Sequence, residues 1–200
     1  MSVQKTNTPE AIDNLAGRCI VHVKKRTGIT LDYKSETLSV VDYFIQQILK
    51  EEGGGQMPPL GDHRRADAMH LFAPTIGAYF GELVRNIFPC RWRIEGDDPQ
   101  TWTIEFKHVP LRFSPIGAAA EALMEMDVSD WSAALATARD ETESLLERLD
   151  AAPPVSESDF YTLSTRFEVL QIAVDWLRAR RSTTKKPPAE ITKEDYDRLF

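Results

Sequence analysis

Apolar residues recur at helical spacing near the start of the chain, where Ile12, Leu15, Ala16, Cys19, Ile20 and Val23 share one face ahead of Gly28. Thr8 followed by Pro9 reads as a cap with proline in the first helical position. After an extended stretch from Thr30 to Tyr33, Ser35 is placed to cap a second helix. Its Leu38, Val41, Phe44, Ile45, Ile48 and Leu49 form a broad stripe, which Gly53, Gly54 and Gly55 end. Residues Gln56 to Gly61, with their Pro58-Pro59 pair, read as a mobile loop. A third helical pattern covers Asp62 to about Phe88, and Pro74 predicts a kink or break in it. Ala73, Gly77 and Gly81 recur at every fourth position, leaving backbone open to a close neighbour along one stripe.

The period then changes to two. Cys90, Trp92 and Ile94 alternate with Arg91, Arg93 and Glu95, and Trp102, Ile104 and Phe106 alternate with Thr103, Glu105 and Lys107. With Gly96-Asp97-Asp98-Pro99 between them, these runs predict an antiparallel hairpin, one aromatic face buried and one salt-bridging face in water. Leu111 and Phe113 can add an edge strand beside Pro110, and Ser114-Pro115 opens a covering helix through Leu123. Two further series alternate spacings of four and three: Trp131, Leu135, Ala138, Thr142, Leu145, Leu149, and Phe160, Leu163, Phe167, Leu170, Val174, Leu177. Joined through Pro153-Pro154, they predict an antiparallel helical hairpin. The chain therefore reads as α+β, with helices on an antiparallel sheet of two or three strands and a C-terminal helical hairpin. Residues 1–128 form the α+β unit, 129–181 the hairpin packed on or beside it, and 182–200 a flexible linker and C-terminal peptide.

Composition narrows the classes. A chain of 200 residues with 42% hydrophobic content supports a substantial core. The formal charge of −7 opposes long-range attraction to nucleic acid or anionic membrane. The uncharged run from Ala68 to Gly81 is shorter than a membrane span, and the polar N-terminus lacks a secretory leader's apolar run, so the cytoplasm is the expected compartment. Cys19 and Cys90 have no metal-ligand spacing and read as reduced, buried thiols. The cations Arg178, Arg180, Arg181, Lys185 and Lys186 read as a helix C-terminus followed by solvated linker, because no aromatic residues interleave to stack on bases.

Catalytic signatures such as GxSxG, GxGxxG or a phosphate loop are absent, and no cofactor is implied. His63, Asp67 and His70 share a helical face at metal-ligand spacing, but without an HExxH-type motif they read as the polar start of a helix. Glu82, inside an apolar helix, is either a general base or, as the favoured reading, the ion-pair partner of an arginine such as Arg91 or Arg93. Tyr79, Glu82, Arg91 and Arg93 together form the candidate ligand-binding set, between the third helix and the hairpin. Tyr196, Leu199 and Phe200 form the candidate partner-binding set, three anchors on a helical turn that docks into a groove, with a disordered terminus or a tail folded back on its own domain as the alternatives.

The segments Leu31-Asp32-Tyr33-Lys34-Ser35, with Leu38 and Asp42, and Ile76-Gly77-Ala78-Tyr79-Phe80-Gly81-Glu82, followed by Trp92 and the Pro115 to Leu123 helix, carry a resemblance. Over about residues 31–126 the chain resembles a widespread group of uncharacterised bacterial α+β domains with an LDYxS…GAYFGE…W pattern. The resemblance implies a small α+β unit, assigns no catalytic residue, and marks Tyr79 and Glu82. The leading expectation is a non-catalytic protein-binding or regulatory protein, of adaptor or immunity type, that uses its acidic surface or its C-terminal peptide. A small enzyme or ligand-binding domain around Tyr79 and Glu82 is the alternative, and homodimerisation through the Phe160 to Leu177 seam is a further partner reading.

Overall fold

The computed structural model describes residues 8–52, 63–156, 158–182 and 190–200. The Gly53 to Gly61 loop reading, and with it Lys185, Lys186 and Pro187-Pro188, lies outside the described residues. Helix α1 (Glu10–Thr27) buries Ile12, Ala16, Cys19 and Val23, and it ends where Gly28 adopts a φ of 77° and donates its N–H to the Lys24 carbonyl. That left-handed stop is cheap only for glycine. Pro9 rather than Thr8 takes the cap position, and the Thr8 hydroxyl donates instead to Glu82 (2.9 Å). Ser35–Thr37 form a single 3-10 turn before α2 (Leu38–Glu52), so Ser35 does not cap that helix directly.

Helix α3 (His63–Ile87) is the axis of the molecule, packing on α1, α2 and α4 (Pro115–Met124). It continues through Pro74, so of the expected kink or break the break does not occur. A proline ring removes one backbone donor, and burial of the flanking turns outweighs that loss here. The glycine stripe has the role expected of it. A Cβ on Gly77 would stand 2.4 Å from the Ile116 Cα of α4, and one on Gly81 would stand 2.2 Å from the Trp92 ring. Backbone contact this close is open only to glycine.

Among the described residues the sheet has four antiparallel strands in the order β1 (Cys90–Arg93), β2 (Thr103–Phe106), β3 (Leu111–Phe113) and β4 (Ala136–Thr137), against the two or three expected. Its hairpin register pairs Arg91 with Glu105 and Trp92 with Ile104. Cys90, Trp92, Ile104, Phe106, Leu111 and Phe113 are all buried in the hydrophobic core that the helices share.

The series from Trp131 to Leu149 is not one helix. Ser129–Trp131 make a 3-10 turn, Ala136–Thr137 pair with β3, and only α5 (Thr142–Asp150) is helical. Strand β4 hydrogen-bonds to a strand of the first unit, so the division at residue 128 falls inside one sheet. Helix α6 (Leu163–Ser182) packs on α2, α4 and α5. Its Leu163, Phe167, Leu170, Val174 and Leu177 are buried in this same core, so the seam offered for homodimerisation is covered within the chain and leaves Phe160, 47% exposed, at its edge. The five members that already exclude water have no further apolar area to contribute to a dimer. No helix among the described residues is long and apolar enough to cross a membrane.

Candidate functional site

The four candidate ligand residues do not meet. Tyr79 is fully buried, and its hydroxyl accepts from the Tyr33 N–H (3.2 Å) and pairs with the Thr37 hydroxyl (3.0 Å). Tyr33 itself has a φ of 60° and stacks on the Tyr79 ring at 5.0 Å. A bulky residue holds a left-handed conformation only where its surroundings compensate, and Tyr79 supplies both the stacking surface and the hydrogen bond. Burial raises the Tyr79 pKa above its ordinary value. Its chemistry is that of a strut for the turn between α1 and α2.

Glu82 is ion-paired with an arginine, as expected, but the partner is Arg85 rather than Arg91 or Arg93. Its Oε1 accepts from Arg85 (2.5 Å) and from the Trp92 indole (2.7 Å), and its Oε2 from Thr8 (2.9 Å). Arg85, one helical turn away on α3, reaches it more readily than the hairpin arginines, whose side chains leave the opposite face of β1 from Trp92. The Trp92 indole bond and the tight Gly81–Trp92 contact close the interface between α3 and the hairpin, while Arg85 and Thr8 engage the rest of the carboxylate. A carboxylate so engaged locks the interface together and is a poor general base.

Among the described residues no three His, Cys, Asp or Glu side chains stand close enough to hold a metal. His70 packs edge-on against Trp131 at 5.5 Å. Burial pushes the thiols of Cys19 and Cys90 up to about 12, far from the range of a reactive cysteine.

Arg91 and Arg93 belong to a different constellation. On the sheet face away from the helices, Arg91 Nε donates to Glu105 Oε2 (2.9 Å) and Arg93 Nη1 to Glu105 Oε1 (3.0 Å), and Arg112 of β3 stands opposite Glu105. Alternation predicts that this face is wet. Instead Glu105 is fully buried, because residues 190–200 lie across it. The Ile191 N–H donates to the Lys107 carbonyl (2.7 Å), and Arg91 Nη1 returns a bond to the Ile191 carbonyl (2.8 Å). Helix α7 (Lys193–Leu199) follows, opened by a reciprocal cap between Thr192 and Asp195. From it Asp197 accepts from Arg93 (2.5 Å), while Phe200 stacks under the Arg112 guanidinium at 4.1 Å. Hydrogen bonds to Asp197, Glu95 and Glu105 hold the Arg93 guanidinium firmly protonated.

The centre of this contact is Tyr196, which is fully buried. Its phenolic oxygen lies 2.8 Å from the Phe106 carbonyl, 3.0 Å from that of Val109 and 2.8 Å from that of Leu111, and it accepts from the Leu111 N–H at 3.1 Å. A phenol has one proton, so it donates to one of these carbonyls at a time while all three converge on it. The β2–β3 turn thus presents a carbonyl-lined socket, and the Arg91 guanidinium covers the ring at 5.5 Å. Burial is the first cause that drives the phenol pKa upward.

Of the partner-binding set, therefore, Tyr196 is engaged by the chain's own sheet, the fold-back alternative, while Leu199 and Phe200 are 38% and 39% exposed. Strand alternation put Glu105 on the arginine face but missed its burial and the socket. The signal for both was present in the row of Arg91, Arg93 and Arg112 facing a single strand carboxylate, which leaves that face short of negative charge that the acidic tail supplies. Comparison with protein families, with curated proteins and with solved structures finds no match to this chain.

Proposed function

We propose that this chain is a non-catalytic, cytoplasmic protein-binding module of adaptor or regulatory type, and that the arginine face of its sheet is a peptide-binding cleft occupied in cis by residues 190–200. The observation that carries the reading is the socket: three carbonyls of the β2–β3 turn around one tyrosine hydroxyl, flanked by arginines that meet an acidic segment. It has the parts by which folded domains hold extended segments, namely a main-chain bond at Ile191, a pocketed aromatic anchor at Tyr196 and charge complementarity around them. A partner segment with the same features, one tyrosine followed by an acid, competes for the cleft, and the released tail presents Tyr196, Leu199 and Phe200 together.

The test places a protease site within residues 183–189 and cleaves the folded protein. A labelled peptide of residues 189–200 is expected to exchange into the cleft, with a Tyr196→Phe peptide binding about tenfold more weakly, the equivalent of about 1.4 kcal/mol. If the cleaved body keeps its circular dichroism and still refuses the peptide, the tail is a fixed structural element and the proposal fails.

A further inference from the structure

A second site lies on the far side of α3 from the sheet. Arg18, His22 and Lys25 stand at i, i+4 and i+7 on α1, so one helical face carries all three. They rim a groove of about 450 Å³ whose walls are Phe44 of α2 with Leu71 and Phe72 of α3. Leu71 is 62% exposed, and the Phe72 ring stands edge-on to both His22 and Phe44 at 6.2 Å. Arg26, one residue beyond Lys25, is held by Glu51 (Nη2 to Oε2, 2.6 Å), which ties α1 to the end of α2 beside the groove.

Charge sets the rim of this groove apart from the paired arginines of the molecule. The chain has 31 acidic and 24 basic residues, and Arg65, Arg85, Arg91, Arg93 and Arg166 each have a carboxylate partner. Among the described residues Arg18 and Lys25 have no carboxylate partner, hydrogen bond or ring contact. In a protein with surplus carboxylates, two unpaired cations beside an exposed leucine and a half-open phenylalanine mark a surface complementary to an anion with an apolar body. The volume falls within the roughly 300–1,000 Å³ of small-molecule sites.

We infer that the groove between α1, α2 and α3 binds a small amphiphilic anion, its carboxylate or phosphate head between Arg18 and Lys25 and its apolar body against Leu71, Phe72 and Phe44. The guanidinium and ammonium recognise the head by charge and hydrogen bonding, and the helix surfaces remove the body from water. The inference is independent of the peptide cleft, since it uses neither the sheet nor the tail.

Isothermal titration of the full chain with dodecanoate and with dodecyl phosphate, both below their micelle concentrations, tests it and separates the two head groups. One site per chain is expected for at least one of them, with dodecyltrimethylammonium, which has the same tail and the opposite charge, binding at least about tenfold more weakly. The double reversal Arg18→Glu with Lys25→Glu, on exposed positions and checked for fold by circular dichroism, is expected to weaken the anion by at least about tenfold, and Leu71→Asp to do the same through the apolar wall. Equal binding of the cationic amphiphile, unchanged binding by the double reversal, or no binding by either anion overturns the assignment.

Discussion

Replacing Tyr196 by phenylalanine removes a single oxygen and isolates what the carbonyl socket contributes. In the native chain that oxygen receives the Leu111 N–H and gives its proton to one of three carbonyls, all inside a buried contact. The ring stays, so apolar burial and the Arg91 contact persist, and the change leaves buried groups without their partner. Such a loss costs about 1–3 kcal/mol. For a chain of this size, about 2 kcal/mol lowers Tm by about 4–8 °C. The Leu111 amide, whose remaining acceptor is the Val109 carbonyl at 2.8 Å, is expected to exchange with deuterium faster by the same free energy, about thirtyfold for 2 kcal/mol. Tyr196→Ala adds a cavity and costs about 3–5 kcal/mol where the structure must remain docked. A segment that can leave the cleft sets a ceiling on that loss, because the undocked body is still folded. Tyr196→Ala and deletion of residues 183–200 should therefore converge on one Tm. An unchanged Leu111 exchange rate in Tyr196→Phe refutes the socket, and a Tyr196→Ala chain less stable than the deletion refutes the detachable tail.

Two further predictions concern the body. Gly77→Ala drives a Cβ to 2.4 Å from the Ile116 Cα, a backbone atom with no side chain to swing aside, and should cost at least about 1–3 kcal/mol by urea denaturation, whereas Gly17→Ala, with open space at its Cβ inside α1, should stabilise by about 0.4–1 kcal/mol. Asp42 of α2 caps α6 by accepting from the Leu163 and Ser164 N–H groups and the Ser164 hydroxyl, yet burial raises its pKa above the ordinary 3.8 against those bonds. The native state then holds the proton more tightly than the unfolded one, so this group's contribution to stability falls as pH rises from about 3.8 through its folded pKa. Asp42→Asn, which has no proton to give up, should gain on the wild type across that interval in urea midpoints measured against pH, and a constant difference between the two would overturn the sign.

What could be read from the sequence was whatever repeats with a clean period and a single buried face. The α1 stripe, the alternation of the hairpin strands and the glycine stripe of α3 are of that kind, since each depends on local spacing and on one neighbour. The spacing that failed was Trp131, Leu135 and Ala138. Four-three spacing is helical only if the intervening backbone closes its own hydrogen bonds, and here Ala136 and Thr137 bond to β3, with the Thr137 hydroxyl donating to the Pro110 carbonyl at 2.7 Å. The candidate site failed for a related reason. Strand alternation placed Arg91, Arg93 and Glu105 together on one face, but whether that face meets water depends on a segment about a hundred positions away, as the Arg91 to Ile191 bond shows. The groove on α1 was spelled out as Arg18, His22 and Lys25 at helical spacing, a pattern shared with any solvated helix face; Phe72 and Leu71, which turn it into a groove, come from another helix.

The energetics of the cleft say which feature a competing partner must carry. Asp197 is about half exposed, as is Glu190 in its pair with Lys107, and exposed pairs of this kind contribute about 0–1 kcal/mol each and weaken with salt. Tyr196 and Ile191 are buried, so the hold of the tail rests on the aromatic ring, its hydroxyl and the main-chain bond at Ile191. The charges then set speed and orientation: arginines on β1 and β3 draw an acidic segment in, and the socket decides whether it stays. An acidic peptide without the tyrosine should associate quickly and leave quickly, a tyrosine peptide without acids should bind slowly and persist, and raising the salt should slow the association of the native segment while leaving its dissociation nearly unchanged.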